Sequence, residues 1–185
     1  ALYEKKDYSL KGLVSPTGIS FYIVPPLNAA TRAATMEEKV LILEAMLTEE
    51  DFAVPSKKRG AKEGDTETLC SQAVRIMDNI KSRQDSEVEK AINVLESKIE
   101  SENLNEHQLL VIDAEGKYSK DYTGLIANKI MAKYQKPTLI GSIHDGENLA
   151  GSGRSYDKSS LPDLKTFLQQ SDLMNFAEGH AAAHG

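Results

Sequence analysis

The chain has one cysteine, no tryptophan and no long apolar run among its 185 residues. The lone cysteine, Cys70, excludes an internal disulfide and a multi-cysteine zinc site, and suits a reducing cytosol. No stretch approaches the roughly 20 apolar residues that a membrane helix needs, so no membrane association is expected. A basic-then-apolar leader is also missing from the start, so no secretion signal is read. Positive charge is short as well: 22 Lys and Arg stand against 28 Asp and Glu, a net charge of −6. That balance argues against holding nucleic acid by bulk electrostatics; any phosphate binding has to be local, through a few placed groups. What remains, 40% apolar and 27% charged residues, is ordinary for a globular protein of one large domain or two small ones. The chain opens on Ala1 and closes inside a motif, which reads as a piece of a longer protein.

Three regions follow from periodicity. In residues 1–65, "ISFYIV" (19–24) is β-branched and aromatic and predicts a strand stopped by Pro25-Pro26. Asn28 is offered as the cap of a following helix, and a second helix is expected over about Met36–Leu47 with Val40, Leu43 and Leu47 along one face. "PSKKRGAKEGDTE" (55–67) lacks apolar periodicity and reads as a mobile loop. From Thr66 to about Glu102 one apolar stripe runs through Leu69, Ala73, Ile76, Met77 and Ile80, and another through Val88, Ile92, Leu95 and Ile99. Eleven residues, close to three turns, separate Met77 from Val88, so both stripes can share one face of a single helix on the order of 50 Å long. Its middle, "KSRQDSE", is wholly polar, which suggests a connector between two bodies; two helices with a turn near Gln84 are the alternative.

From Leu104 onward the pattern is α/β. "QLLVIDA" (108–114) and "PTLIGSI" (137–143) predict buried strands flanking an amphipathic helix, "YTGLIANKIMAKYQ" (122–135). A hairpin through "HDGEN" (144–148) and a helix near 161–169 follow. Short connections imply a right-handed crossover and a small mixed sheet. The fold class is thus α/β (α+β): an N-terminal helical and connector segment, then a small mixed-sheet domain over 104–185.

Few stretches could carry chemistry. In "GSGRS", Gly151 and Gly153 could turn successive N–H groups toward an anion, Arg154 could fork two hydrogen bonds to a phosphate, and Ser152 or Ser155 could add a hydroxyl. A plain turn is the alternative. The closing "EGHAAAHG" places His180 and His184 four apart, but alanines stand where a metalloprotease helix carries its glutamate, so no metal site is assigned. Its small residues suggest instead a close-approaching surface or ligand, with His180 pointing at it. Gly124 at a helix start permits either close helix–sheet packing or ligand contact, and Arg32 is by default a solvated arginine. Asp113, Asp121 and Asp145 are scattered, and no Ser-His-Asp elbow, Walker loop or dinucleotide fingerprint is present. The chain carries no complete catalytic apparatus.

Taken in order, these pieces resemble the C-terminal part of a RecJ-like single-strand exonuclease of the DHH phosphoesterase superfamily. "FYIVPPLNAATR" resembles the family's Pro-x-Leu/Ile-Asn-Ala-Ala-Gly-Arg segment, with Thr31 where glycine is usual. "MDNIKSRQDSEVEKAI" resembles the middle of its connector helix, and "YTGLIANKIMAKYQKPTLIGS" its helix and following strand, with Asp121-Tyr122-Thr123 in place of a His-x-Gly lead-in. "GSGRS" with "GHAAAHG" resembles the paired signatures of the DHH-associated domain, from which Glu178 and His184 depart. The matches span about residues 19–185.

The resemblance implies a noncatalytic part that grips substrate for a metal-dependent 5′-to-3′ exonuclease acting on single-stranded DNA rather than RNA, in the cytoplasm. The DHH catalytic domain, with its Mn2+ or Mg2+, would lie outside this chain. Gly151, Ser152, Gly153, Arg154, Ser155, Gly179 and His180 would line the phosphate path, and Arg32 would contact a terminal phosphate. Two other implications stay open: a phosphodiesterase for short oligonucleotides or cyclic dinucleotides, and a noncatalytic nucleic-acid-binding or scaffold module.

Overall fold

The computed structural model describes residues 2–144, 146, 148–172 and 174–185. The chain divides into two compact units, 1–85 and 86–185, and the division falls inside one helix.

The first unit is helical. Short helices α1 (Leu2–Lys5), α2 (Asp7–Leu10) and α3 (Pro16–Gly18) precede a π-turn over Ile19–Ile23, α4 (Val24–Ala33) and α5 (Met36–Leu47). The expected strand at 19–24 is therefore a helix. Ser15 caps α3 by accepting from the Gly18 amide, and Pro16 fits its first turn. The π-turn, with the Val24 N–H donating to the Ile19 carbonyl, then leads into Pro25-Pro26 at the start of α4, where a missing N–H does no harm. Aromatic and β-branched composition lost here to proline placement.

Asn28, expected as a cap, sits inside α4. The working cap is Thr35 of α5, whose hydroxyl accepts from the Glu38 amide while the Glu38 carboxylate accepts from the Thr35 amide. α5 keeps its expected span but buries Ile42; Val40, Leu43 and Leu47 are exposed. Ile42 joins Ala29 and Ala30 of α4 and Ala73, Val74, Met77 and Ile80 in the core of this unit.

Residues 55–66, expected as a mobile loop, belong to an antiparallel hairpin of β1 (Ala53–Pro55) and β2 (Thr66–Thr68) whose tip is internally hydrogen-bonded. Beneath it Glu67 is buried. Its carboxylate accepts from Arg75 at 2.5 Å, Gln72 at 2.9 Å and the Lys57 amide at 3.0 Å. Burial raises the Glu67 pKa and these donors lower it; the donors win and hold it at about 2.

Helix α6 runs unbroken over Leu69–Ser101, starting three residues later than the pattern suggested because Thr66–Thr68 pair as a strand. Arg83 donates to the Ala33 carbonyl and the Glu38 carboxylate, and Lys5 and Lys6 pair with Asp78. Val88, Ala91, Leu95 and Ile99 are buried on its second half.

In the second unit, β3 (Leu110–Asp113), β4 (Thr138–His144), β5 (Asn148–Arg154), β6 (Gly179–His180) and β7 (Ala183–His184) form one mixed sheet in the order β3-β4-β5-β7-β6. β3 and β4 are parallel and joined through α7 (Thr123–Tyr134); the remaining pairs are antiparallel. α7 packs on β4 and β5, burying Ile126, Ala127 and Ile130, and α8 (Leu164–Gln170) packs on β5. The expected hairpin at 144–148 links β4 to β5 with His144 opposite Asn148, while Asp145 and Glu147 lie outside the described residues. No helix among the described residues is long and apolar enough to cross a membrane.

Candidate functional site

"GSGRS" is not a loop. Gly151, Ser152, Gly153 and Arg154 lie in β5. Neither glycine has a positive φ, so no nest of turned N–H groups forms. The glycines serve close approach instead. A Cβ on Gly151 would stand 2.0 Å from the Ile140 carbonyl oxygen on β4, and one on Gly153 would stand 2.1 Å from His184 Nε2 on β7. Only hydrogen fits at either place.

Alternation along β5 then sorts its side chains. Ser152 and Arg154 point to the α7 face, and position 153 points to the other. Gly124, in the first turn of α7, sits against them: a Cβ there would be 2.5 Å from Arg154 Nη2 and 3.6 Å from Ser152 Oγ. What Gly124 makes room for is thus the guanidinium of Arg154. The other terminal nitrogen, Nη1, donates to the Gly153 carbonyl at 2.6 Å. Arg154 and Ser152 are half-buried. A planar cation at the positive end of a helix, beside a hydroxyl, suits a phosphate oxygen.

The closing "EGHAAAHG" is a hairpin. The amides and carbonyls of Glu178 and Gly185 bond reciprocally at 2.9 Å. Gly179 has φ +123°, a conformation that side chains rarely adopt, and its carbonyl accepts from Lys165. The register places Arg154 opposite Ala183, and Ala183 opposite His180. Paired residues share a face, so Arg154, Ala183 and His180 form one row, two strand spacings or roughly 10 Å from end to end. The small methyl of Ala183 lies between them, and His180 is exposed.

His184 projects to the opposite face from His180, so the two cannot share an ion or a ligand. Its imidazole lies buried against Gly153. Burial, then the nearby Arg154 and Lys165, lower its pKa; Asp163 and a hydrogen bond with the His180 backbone oppose them. His184 is a packing residue, neutral near pH 7.

Ser155 is committed elsewhere: its hydroxyl donates to the Ala181 carbonyl at 2.6 Å and accepts from the Leu164 amide at 3.0 Å. It fixes the hairpin turn to the start of α8. Arg32 belongs to the first unit, exposed on the last turn of α4.

Sequence reading missed a cavity of about 250 Å³ on the α7 face, lined by Ala114, Tyr118, Lys120, Thr123, Ser142 and Ala150 among others. It opens at the carboxyl ends of β3 and β4, where ligands of α/β sheets commonly sit. Neither strand carried a motif there. The only available signal was the strand–helix–strand order, which places such a mouth without naming its residues. Among the described residues, no three His, Cys, Asp or Glu side chains converge as a metal-binding group.

In fold the chain is similar to part of RecJ. Its structure matches the crystal structure of RecJ from Thermus thermophilus in complex with Mn2+ at a TM-score of 0.59 and 17% identity, over all of this chain and 23% of that one. The Mg2+ complex of RecJ from the same organism matches at 0.52 and 18%, over 91% of this chain and 22% of that one. In sequence the chain is 36% identical, over its whole length, to a protein of Bacillus subtilis (strain 168) named as an SPbeta prophage-derived single-strand DNA-specific exonuclease, YorK, and equally to the one so named from Bacillus phage SPbeta. The chain spans about a third of the length of these relatives, 32% of each. No protein-family model matches it.

Proposed function

We propose that the second unit holds the phosphate backbone of single-stranded DNA for a RecJ-like 5′-to-3′ exonuclease whose metal-bearing catalytic residues lie outside this chain. The observation that carries the reading is the row of Arg154, Ala183 and His180 on the α7 face, with Gly124 and Ser152 closed around the guanidinium. Arg154 forks two N–H groups to one phosphate, and exposed His180 meets a neighbouring phosphate.

Holding the backbone in register is what an exonuclease requires of a noncatalytic surface, because a reacting phosphorus misplaced by an ångström costs orders of magnitude in rate. In that scheme Mn2+ or Mg2+ activates the attacking water on the partner domain, and the present chain supplies position. Ser155 is left out, since its O–H is already given to Ala181. Arg32 remains the proposed contact for a terminal phosphate.

The test is the affinity of this chain for a 5′-phosphorylated single-stranded oligonucleotide, measured by anisotropy at low salt. Arg154→Ala should weaken it about 10- to 100-fold, the 1.5–3 kcal/mol typical of a hydrogen-bonded charge. Unchanged affinity would end the phosphate assignment. A preference for a cyclic dinucleotide over the oligonucleotide would move the reading to the phosphodiesterases.

A further inference from the structure

Four of the chain's 22 Lys and Arg stand within six residues, Lys57, Lys58, Arg59 and Lys62, at the tip of the β1–β2 hairpin. Such a cluster is out of keeping with a chain of net charge −6. Its significance depends on what the neighbouring carboxylates do, since an interleaved acidic partner would leave an ordinary solvated turn.

Of the three carboxylates near the tip, Glu67 is turned inward and the exposed Asp65 is tied to the turn. Glu67 is buried and accepts from Arg75, Gln72 and the Lys57 amide. Asp65 accepts from the Lys62 amide at 2.8 Å. Glu63 is the remaining acid of the tip, and it is exposed. Backbone bonds from Ser56 to Asp65, from Ala61 to Lys58 and from Asp65 to Lys62 close the turn, and the Ser56 hydroxyl accepts from the Lys58 amide. Glu67 and Asp65 therefore shape the tip, while Lys57, Lys58, Arg59, Lys62 and Glu63 are exposed. Lys58 stands 4.0 Å from Glu67, too far for a strong hold on its ammonium. Lys58 and Arg59 border an open hollow of about 320 Å³ whose lining also includes Ser56, Asp65 and Thr66.

We propose that this hairpin tip is a second contact for the DNA backbone, separate from Arg154 and His180, which binds consecutive phosphates by charge without reading sequence. The proposal rests on the single-stranded DNA reading for its choice of polyanion, and it concerns residues of the first unit only. A stiff tip loses little conformational freedom on binding, so its cations act as a preformed patch. Each phosphate neutralised on a single strand releases about 0.7 of a condensed counterion, which makes the contact countable from salt dependence.

The experiment uses this chain with fluorescent single-stranded oligonucleotides of about 5 and about 30 nucleotides, across a salt series. Three variants are compared with wild type: the quadruple Lys57→Gln/Lys58→Gln/Arg59→Gln/Lys62→Gln, the smaller Arg59→Gln/Lys62→Gln, which leaves the residues around Glu67 intact, and Arg154→Ala. The proposal predicts that the quadruple variant binds the long oligonucleotide at least tenfold more weakly, with the log–log salt slope reduced by about 2–3. The double variant should lose about half of that slope. Unchanged affinity and slope in both hairpin variants, with Arg154→Ala weakened, overturns the hairpin contact and leaves the Arg154 site standing. Weakened hairpin variants with unchanged Arg154→Ala support the hairpin and sink the Arg154 site. If wild type binds neither oligonucleotide at low salt, or if an acidic polypeptide competes while DNA does not, the proposal is wrong.

Discussion

Gly124→Ala separates the two roles open to this glycine, helix packing and making room for a ligand-binding group. The added methyl would stand 2.5 Å from Arg154 Nη2 and 3.5 Å from Cζ, against an ordinary contact of at least about 3.4 Å. The guanidinium must retreat by about 1 Å, and the end of a flexible side chain can do so. Gly124 has no positive φ, so alanine fits the helix and contributes roughly 0.4–1 kcal/mol through the unfolded chain. Stability should stay level or rise slightly, with Tm within about 3 °C of wild type. Binding should move the other way. A displaced guanidinium loses at least one charged hydrogen bond to phosphate, about 1.5 kcal/mol, or roughly tenfold in affinity for a single-stranded oligonucleotide. Paired calorimetry and anisotropy read both. A large drop in Tm with binding intact would show that the glycine exists for packing, and would refute the reasoning.

Other outcomes follow from the same contacts. His184 is neutral in the fold with its pKa below the usual 6.5, so the unfolded chain takes up a proton first. Stability should therefore fall as pH drops below about 6.5, by no more than about 1.4 kcal/mol per pH unit, and level off below the folded pKa. His184→Leu should flatten that part of a Tm–pH curve. Glu67, held at about 2, contributes fully above the ordinary carboxylate range, and its contribution is lost as pH falls from about 4.5 toward 2. Glu67→Gln should cost about 1.5–3 kcal/mol in urea unfolding at pH 7 and shrink the acid-sensitive part. Thr35→Ala removes the cap of α5 at about 1 kcal/mol and should leave DNA affinity unchanged.

The second unit was legible because its signals are local. Buried runs at 110–113 and 138–144 flank one amphipathic helix, and the crossover rule supplies the pairing. α6 was legible too, since a stripe that keeps phase across a polar gap needs one continuous helix. Failures came where non-local contacts decide. "ISFYIV" has strand composition, yet Pro16 and Pro25-Pro26 suit helix starts. Val40, Leu43 and Leu47 share a helical face, but the alanines of α4 pack on Ile42. At the site, Arg154 and His180 could be named from motifs, while their environment could not. Gly124 is 30 residues from Arg154, and the side of the sheet each histidine takes depends on the register of a two-residue strand. The glycines of "GSGRS" looked like a turn because a sequence does not say what lies across the sheet, here the ring of His184 and the backbone of β4.

The most direct measurement is an NMR titration of 15N-labelled chain with a short 5′-phosphorylated single strand. The account predicts that the Arg154 side-chain Nε–H and the amides of Ser152, Gly124 and His180 shift together and saturably, while the amides around His184 on the far face move least. Saturable binding that leaves the Arg154 Nε–H and Gly124 resonances in place would contradict it.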